Sequence, residues 1–161
     1  MQPFLASLEA SAVGVFVRES MWGFAMVAGG HILGLVLSVG VLAWFDLRLL
    51  GIVLPRVPVS TMFRRLMPWA FAGFALMFGT GLTLFVAYAT DAYPNVWFRT
   101  KLVAITLAGA NALYYHQFTE KTIAQWDAGT PPTAGRLAGA CSLLLWVGVI
   151  LLGRGMAYTM F

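Results

Sequence analysis

Four long apolar stretches are the feature that most constrains this chain. They cover residues from about 21–45, 67–89, 97–118 and 137–160. As an α-helix rising 1.5 Å per residue, each is long enough to cross roughly 30 Å of hydrocarbon. The loops between them are short, which favours antiparallel neighbours. The sequence therefore predicts an all-α fold, an integral membrane four-helix bundle, with residues 1–161 in a single transmembrane domain.

The composition excludes other protein classes. Of the 161 residues, 60% are hydrophobic and only 10% are charged, whereas soluble domains carry about a quarter charged residues. An ordinary soluble domain, a disordered chain and a fibrous repeat are therefore excluded. The net charge of +4 is interpreted as membrane topology rather than as affinity for nucleic acid. The single cysteine, Cys141, can form neither an intrachain disulfide nor a cysteine-based zinc site.

The N-terminal segment, about residues 4–18, differs from the four stretches. It is shorter and carries Glu9. At helical spacing, a narrow polar stripe opposes its apolar residues, and the stripe consists of Ser7, Ser11, Gly14 and Arg18. This pattern predicts a short helix lying in the membrane interface. The segment lacks the basic start of a signal peptide, and we expect it to be retained.

The distribution of basic residues predicts the orientation. The loops after the first and third stretches hold Arg48, Arg56, Arg64, Arg65, Lys121 and Arg136. The positive-inside rule places these loops, about residues 46–66 and 117–136, in the cytoplasm. Both termini then lie on the outer, periplasmic side of a bacterial cytoplasmic (inner) membrane. Asp46 and Asp127 are expected at or beyond the inner interface.

Two histidines, His31 and His116, both fall within predicted spans. An ionisable group inside a membrane helix is costly, so it is a functional-site hypothesis by default. The alternative is a neutral histidine that hydrogen-bonds a neighbouring helix, and this alternative is stronger for His116, which lies near the inner interface. Gly30 and Gly34 flank His31, which favours either close helix packing or space for a flat macrocycle.

These residues suggest a b-type heme with His31 as an axial ligand. From the helical rise, His31 lies about 3 Å outside the midplane and His116 about 12 Å inside it, which disfavours a simple bis-histidine site. Met77 shares the depth of His31 and offers an alternative second ligand, while Trp146 would stack on a cofactor or fill the bundle. Three cations of the outer half would hold heme propionates, snorkel or pair with carboxylates: Arg99, Lys101 and Arg154.

Other chemistry is less well supported. A copper(I) path would need soft ligands, which His31 and a group of methionines could supply: Met21, Met26, Met156 and Met160. Asn111 is expected to donate a hydrogen bond between helices. The sequence has no motif for covalent heme, for a zinc protease, for a nucleotide-binding loop or for a serine hydrolase, and no pair of intramembrane carboxylates. A hydrolase or an ion pump is therefore a poor interpretation.

Several strings of residues resemble an uncharacterised bacterial family of small four-span membrane proteins. They occupy positions 19–23, 31–35, 45–51, 66–70, 98–102 and 145–148. Asn111 and His116 continue the fifth string, and Arg154 follows the last one. A looser similarity connects the chain to membrane b-type cytochromes, to copper-resistance-D-type proteins and to the small membrane protoporphyrinogen oxidase. That last similarity consists of His31, Lys101-Leu102 and His116. It implies heme or porphyrin chemistry with His31 as the ligand.

The resulting hypothesis is a b-type heme protein that passes electrons in the cytoplasmic membrane. Its partner would be a quinone or a periplasmic redox protein. Three alternatives stay open: a cofactor-free structural or assembly subunit of a larger membrane complex, a copper(I) transporter, and an enzyme that oxidises a porphyrinogen. A homo-oligomer is compatible with each of them.

Overall fold

A computed structural model describes residues 1–160, and the regular structure in these residues is entirely helical. The main helices are α1 (Gln2–Glu9), α2 (Ala12–Glu19), α3 (Gly23–Leu49), α4 (Val59–Ala87), α5 (Val96–Tyr114) and α6 (Thr133–Met160). A π-helical turn, Val36–Gly40, lies within α3. A second one, Tyr115–Thr119, continues α5 and leads into a 3-10 helix, Glu120–Gln125. One helical turn, Ala89–Ala92, lies between α4 and α5.

Three of these helices are long and apolar enough to cross a membrane: α3, α4 and α6. The all-α prediction is thus confirmed, together with helices that suit a lipid bilayer. The remaining expected stretch, about residues 97–118, also forms a helix, α5. It is less apolar than the other three because Arg99, Lys101 and Asn111 interrupt it.

The helix bounds differ from the sequence-based ones. α4 begins at Val59 rather than near residue 67, because Arg64 and Arg65 are exposed and are accommodated in its first turns. The single N-terminal helix expected over about residues 4–18 is two helices, α1 and α2. Ser11 separates them because its side-chain oxygen accepts a hydrogen bond from the N–H of Gly14 at 3.2 Å, which caps the start of α2.

The long helices pack as two pairs, α3 with α4 and α5 with α6, and the C-terminal part of α3 also packs on α6. Within the first pair the backbones come very close. A Cβ added to Gly34 would lie 2.6 Å from the backbone nitrogen of Met77, and one added to Gly73 would lie 2.4 Å from that of Ser38. Small residues at such a crossing let two helices approach each other.

Two clusters of buried side chains join the pairs. The inner cluster, toward the loop between α3 and α4, contains Phe45, Leu49, Val59, Met62, Met67, Ala70, Tyr115 and Ala138. The middle cluster contains Val39, Met77, Ala108, Trp146 and Val149. The ring of Trp146 packs against Phe74 with 5.1 Å between centroids. The clusters draw on all four long helices, so burial of apolar side chains holds both pairs together.

Side chains from distant parts of the sequence hold both ends of α4. At its start, the carboxylate of Asp127 accepts hydrogen bonds from the N–H of Ser60 at 2.7 Å and from its hydroxyl at 2.6 Å. At its end, the guanidinium of Arg18 donates to the carbonyl of Ala87 at 2.8 Å. An anion at the N-terminus and a cation at the C-terminus both satisfy free backbone groups and complement the helix dipole.

Arg48 joins the two loops at the inner end of the molecule. Its side chain is fully buried, although the sequence suggests an exposed loop cation. Nε donates to the carbonyl of Val57 at 2.8 Å, and Nη2 lies 3.5 Å from the carbonyl of Asp127 and 3.4 Å from that of Gly129. Because backbone carbonyls satisfy the guanidinium, Arg48 acts here as a structural residue.

Candidate functional site

His31 lies half-buried on α3 with its ring held against α4. Nδ1 is 2.9 Å from the carbonyl oxygen of Met77 and 3.1 Å from Oγ1 of Thr80. Gly81 makes room for the ring, because a Cβ there would lie 3.1 Å from Cε1 of His31. A carbonyl oxygen only accepts hydrogen bonds, so Nδ1 carries the proton and donates to Met77.

This tautomer determines what His31 offers chemically. In a neutral imidazole with a proton on Nδ1, Nε2 carries the free lone pair. A hydrogen bond from the far ring nitrogen to a backbone carbonyl is the usual support of a metal-bound histidine, since it fixes the ring and makes the ligating nitrogen more basic. The ring of His31 is therefore fixed, and Nε2 is the nitrogen that a metal ion would bind.

The cations of the outer half differ in their surroundings. The side chain of Lys101 lies over Gly153 of α6, where a Cβ would be 3.5 Å from Nζ. Arg154 lies over the ring of Tyr158, 4.9 Å from the centroid, and Arg99 is exposed. Among residues 1–160 none of these three cations forms an ion pair with a carboxylate.

The other expected ligands lie elsewhere. Met77 meets His31 through its carbonyl oxygen, while its sulfur is 3.8 Å from Oγ of Ser38 and is packed between α3 and α4. His116 lies in the π-helical turn after α5, with a side chain that is 68% exposed, and it pairs with Glu120. The structure therefore does not bring His116 to His31. Trp146 is buried in the middle cluster.

The two glycines beside His31 face α4. Gly34 lies against the backbone of Met77, and a Cβ at Gly30 would lie 3.3 Å from Cγ2 of Thr80. Both positions therefore serve the packing of α3 on α4. Gly29 is different, because a Cβ there would have nothing within 4 Å.

A second polar site lies in the inner half, and the sequence did not indicate it. Asp46 was expected at the interface, but its side chain is only 4% exposed. The carboxyl group interacts with the hydroxyl of Ser142 on α6, but its Oδ2 has no hydrogen-bond partner among the described residues. Tyr115 is only 7% exposed, and its hydroxyl also has no hydrogen-bond partner among residues 1–160.

Asp46 and Tyr115 both line a cleft of about 450 Å³ between α4 and α5. Its walls are largely apolar, and α3 and α6 supply the remaining sides. Asn111 also lines the cleft, and its amide donates to the carbonyl of Ala138 on α6 at 2.9 Å. The expected interhelical hydrogen bond of Asn111 is thus confirmed. A cleft of this volume, with few polar groups, is typical of small-molecule sites.

The sequence carried no signal for this second polar site. Ser142 and Tyr115 come from α6 and from the turn after α5, and no local motif joins them to Asp46. Position alone suggested that Asp46 ends a span. In the structure both Asp46 and Arg48 are buried, so this part of α3 lies in the protein interior.

Comparisons of this chain with family models, with curated proteins and with solved structures find no match.

Proposed function

We propose that this protein is a four-span protein of the bacterial cytoplasmic membrane that binds a b-type heme through His31 and passes electrons. The observation that carries the proposal is the hydrogen bond from Nδ1 of His31 to the carbonyl of Met77. It leaves Nε2 free and fixes the ring beside Gly81. The same bond would also serve a histidine that only links two helices. A heme ligand uses Nε2 as well, and the proposal therefore depends on that nitrogen.

His31 would hold such a group through Nε2. A bound b-type heme would supply reversible one-electron chemistry, with a potential set by its ligands and its burial. Thr80 and Met77 would keep the imidazole in place as the charge at the site changes. Lys101, with Arg99 and Arg154, supplies positive charge in the outer half that would stabilise the propionate carboxylates.

The proposed topology places α3, α4, α5 and α6 across the membrane, with α1 and α2 in the outer interface. Two polar side chains of α5 that lie against α6 support a fourth span, Lys101 over Gly153 and Asn111 through its hydrogen bond to Ala138. The loops that contain Arg56 and Lys121 would then face the cytoplasm, in accord with the positive-inside rule.

Optical spectra of the full chain, purified in detergent after expression with ample heme, test the cofactor. We expect sharp bands of a reduced b-type heme after dithionite addition, and we expect His31→Ala to lose them. His116→Ala is the matched control and should keep the spectrum. A flat spectrum of the wild type, or full retention in His31→Ala, would overturn the proposal.

Cysteine labelling tests the topology. In a Cys141→Ser background, a cysteine placed at Ser7 should react with a membrane-impermeant maleimide added to intact spheroplasts. A cysteine at Ala128, in the opposite loop, should react only after the membrane is permeabilised. The reverse pattern, or equal labelling of both sites, contradicts the orientation.

A further inference from the structure

The cleft between α4 and α5 has a chemical character that the proposed heme site does not explain. Its walls are largely apolar, yet residues that line it carry two polar atoms without partners among residues 1–160, Oδ2 of Asp46 and the hydroxyl of Tyr115. Leaving buried polar atoms unpaired costs about 1–3 kcal/mol for each. Each of these atoms has almost no exposed surface, so a ligand in the cleft would reach them after a small rotation of each side chain.

We propose that this cleft binds the head group of a quinone. The phenol of Tyr115 donates a hydrogen bond to a ring carbonyl, and the carboxyl group of Asp46 interacts with the oxygen on the opposite side of the ring or with a ring substituent. As an electron partner, the quinone rests on the proposed function. The binding itself does not require the heme.

The charges of the cleft favour a neutral head group. Among the described residues that line it there is no lysine or arginine, and Asp46 is acidic. A phosphate or a fatty-acid carboxylate would therefore meet no cation in the inner part of the cleft. His116 lies at its edge and pairs with Glu120.

The shape of the walls favours a flat ring with an apolar tail. One face of α4 contributes a row of aromatic side chains, Phe63, Phe71, Phe74 and Phe78. The floor adds Phe45 and Trp146, and Phe45 meets Tyr115 edge-on with 5.7 Å between ring centroids. Aromatic rings prefer stacked or edge-to-face neighbours, which a quinone ring supplies.

The presence of both a phenol and a carboxyl group also suits a ligand that changes its hydrogen bonding. A phenol hydroxyl donates to the carbonyl of a quinone and accepts from the hydroxyl of a quinol, since it has both capacities. A carboxyl group accepts when ionised and donates when protonated. The two side chains can therefore satisfy both forms of one molecule, whereas a ligand with a fixed alcohol would use only one.

Binding is measured with the full chain in lipid nanodiscs by titration with decylubiquinone. Trp146 lines the cleft, so we expect saturable quenching of tryptophan fluorescence, with a reduced saturable fraction in Trp146→Phe. Tyr115→Phe removes only the hydroxyl and should weaken affinity about fivefold. The control is Tyr114→Phe, which changes the adjacent exposed phenol and should leave the affinity unchanged.

Three outcomes overturn the proposal: no saturable quenching, equal affinity of Tyr115→Phe and Tyr114→Phe, or full displacement by an equal concentration of a ringless isoprenoid alcohol. His31→Ala separates this proposal from the heme proposal, since it should lose the heme bands and keep quinone affinity. A normal heme spectrum without quinone binding contradicts the cleft alone. Quinone binding without heme contradicts the heme alone.

Discussion

His31 and Asp46 lie on the same helix, about four turns apart, and their surroundings differ. The ring of His31 is held by one neighbouring helix, which satisfies Nδ1 and leaves a single free nitrogen. The carboxyl group of Asp46 lies where α3 packs on α6, and one of its oxygens is unpaired. The first arrangement leaves one nitrogen for the proposed heme, whereas the second leaves an oxygen for the proposed quinone.

This difference matters because both groups are costly to keep in an apolar environment. At His31 the protein itself offsets most of that cost through the carbonyl of Met77. At Asp46 it offsets only part, through Ser142. If the two sites are separate, changes in one half of the molecule should leave the other half working.

The largest expected effect is that of Arg48→Met in the inner half. The substitution keeps the apolar part of the side chain but leaves the carbonyls of Val57 and Gly129 without their donor, which should lower the free energy of unfolding by about 3 kcal/mol. Quinone affinity should fall with it, because Arg48 holds the inner end of α3. Thermal unfolding in detergent measures the loss. The control is the exposed Arg65→Met, and equal stability of both variants would contradict the structural role of Arg48.

A methyl group at one of two glycines should separate the sites more cleanly. Gly34→Ala forces α3 from α4, since the new Cβ would lie 2.6 Å from a backbone nitrogen. Overpacking of this kind costs about 2 kcal/mol, and heme should be lost before quinone affinity. Gly139→Ala, with its Cβ 3.0 Å from the carbonyl oxygen of Asp46, should do the reverse. Gly29→Ala is the silent control, and identical spectra and affinities in all three variants would count against two sites.

Thr80→Val sharpens the account of His31. It removes one partner of Nδ1 and keeps the shape of the side chain, so heme affinity should fall roughly tenfold while Met77 still orients the ring. Heme release to an excess of apomyoglobin measures this change. Thr83→Val is matched to it, because the hydroxyl of Thr83 makes the same kind of bond within α4, to the carbonyl of Gly79 at 2.9 Å. Heme release from the Thr83 variant that is as fast as from the Thr80 variant would contradict the role of the Thr80 hydroxyl at Nδ1.

The smallest effect concerns acid stability at the loops. Hydrogen bonds from the hydroxyl and the N–H of Ser60 hold the pKa of Asp127 below its ordinary value, with help from Arg64 and Arg48, although partial burial opposes them. A pKa that is lower in the folded state adds stability above the unfolded value, about 3.9. This stability disappears as the pH falls through the folded pKa.

Asp127→Asn should therefore show a smaller loss of thermal stability between pH 7 and pH 3 than the wild type. The exposed Asp91→Asn serves as the control and should follow the wild type. At the other end of α4, Glu9 behaves in the same sense. Burial raises its pKa, but the hydrogen bonds from the N–H and hydroxyl of Thr90 and the charge of Arg18 outweigh it and lower the pKa. An unchanged acid profile in Asp127→Asn would remove the loop carboxylate from this account.

Periodicity and hydropathy predicted the helices because burial in a bilayer and burial in a protein select the same apolar residues. His31 and Asn111 were found for a related reason, since a polar group inside an apolar stretch needs a partner. The partners of Asp46 and Arg48 could not be predicted. Arg48 meets carbonyls 79 and 81 residues away, and such contacts depend on how helices meet rather than on local sequence. The two π-helical turns have no sequence signal that we could identify.

The link between Ser60 and Asp127 has a consequence for biogenesis. The two residues are 67 positions apart, so the ribosome has delivered all of α4 and α5 before the carboxylate that caps α4 exists. The guanidinium of Arg48 likewise meets the carbonyl of Gly129 only after that residue has been synthesised. This end of the molecule is therefore completed only when the loop between α5 and α6 emerges, and a chain stalled before that point has α3 and α4 without the contacts that join their loop to Asp127 and Gly129.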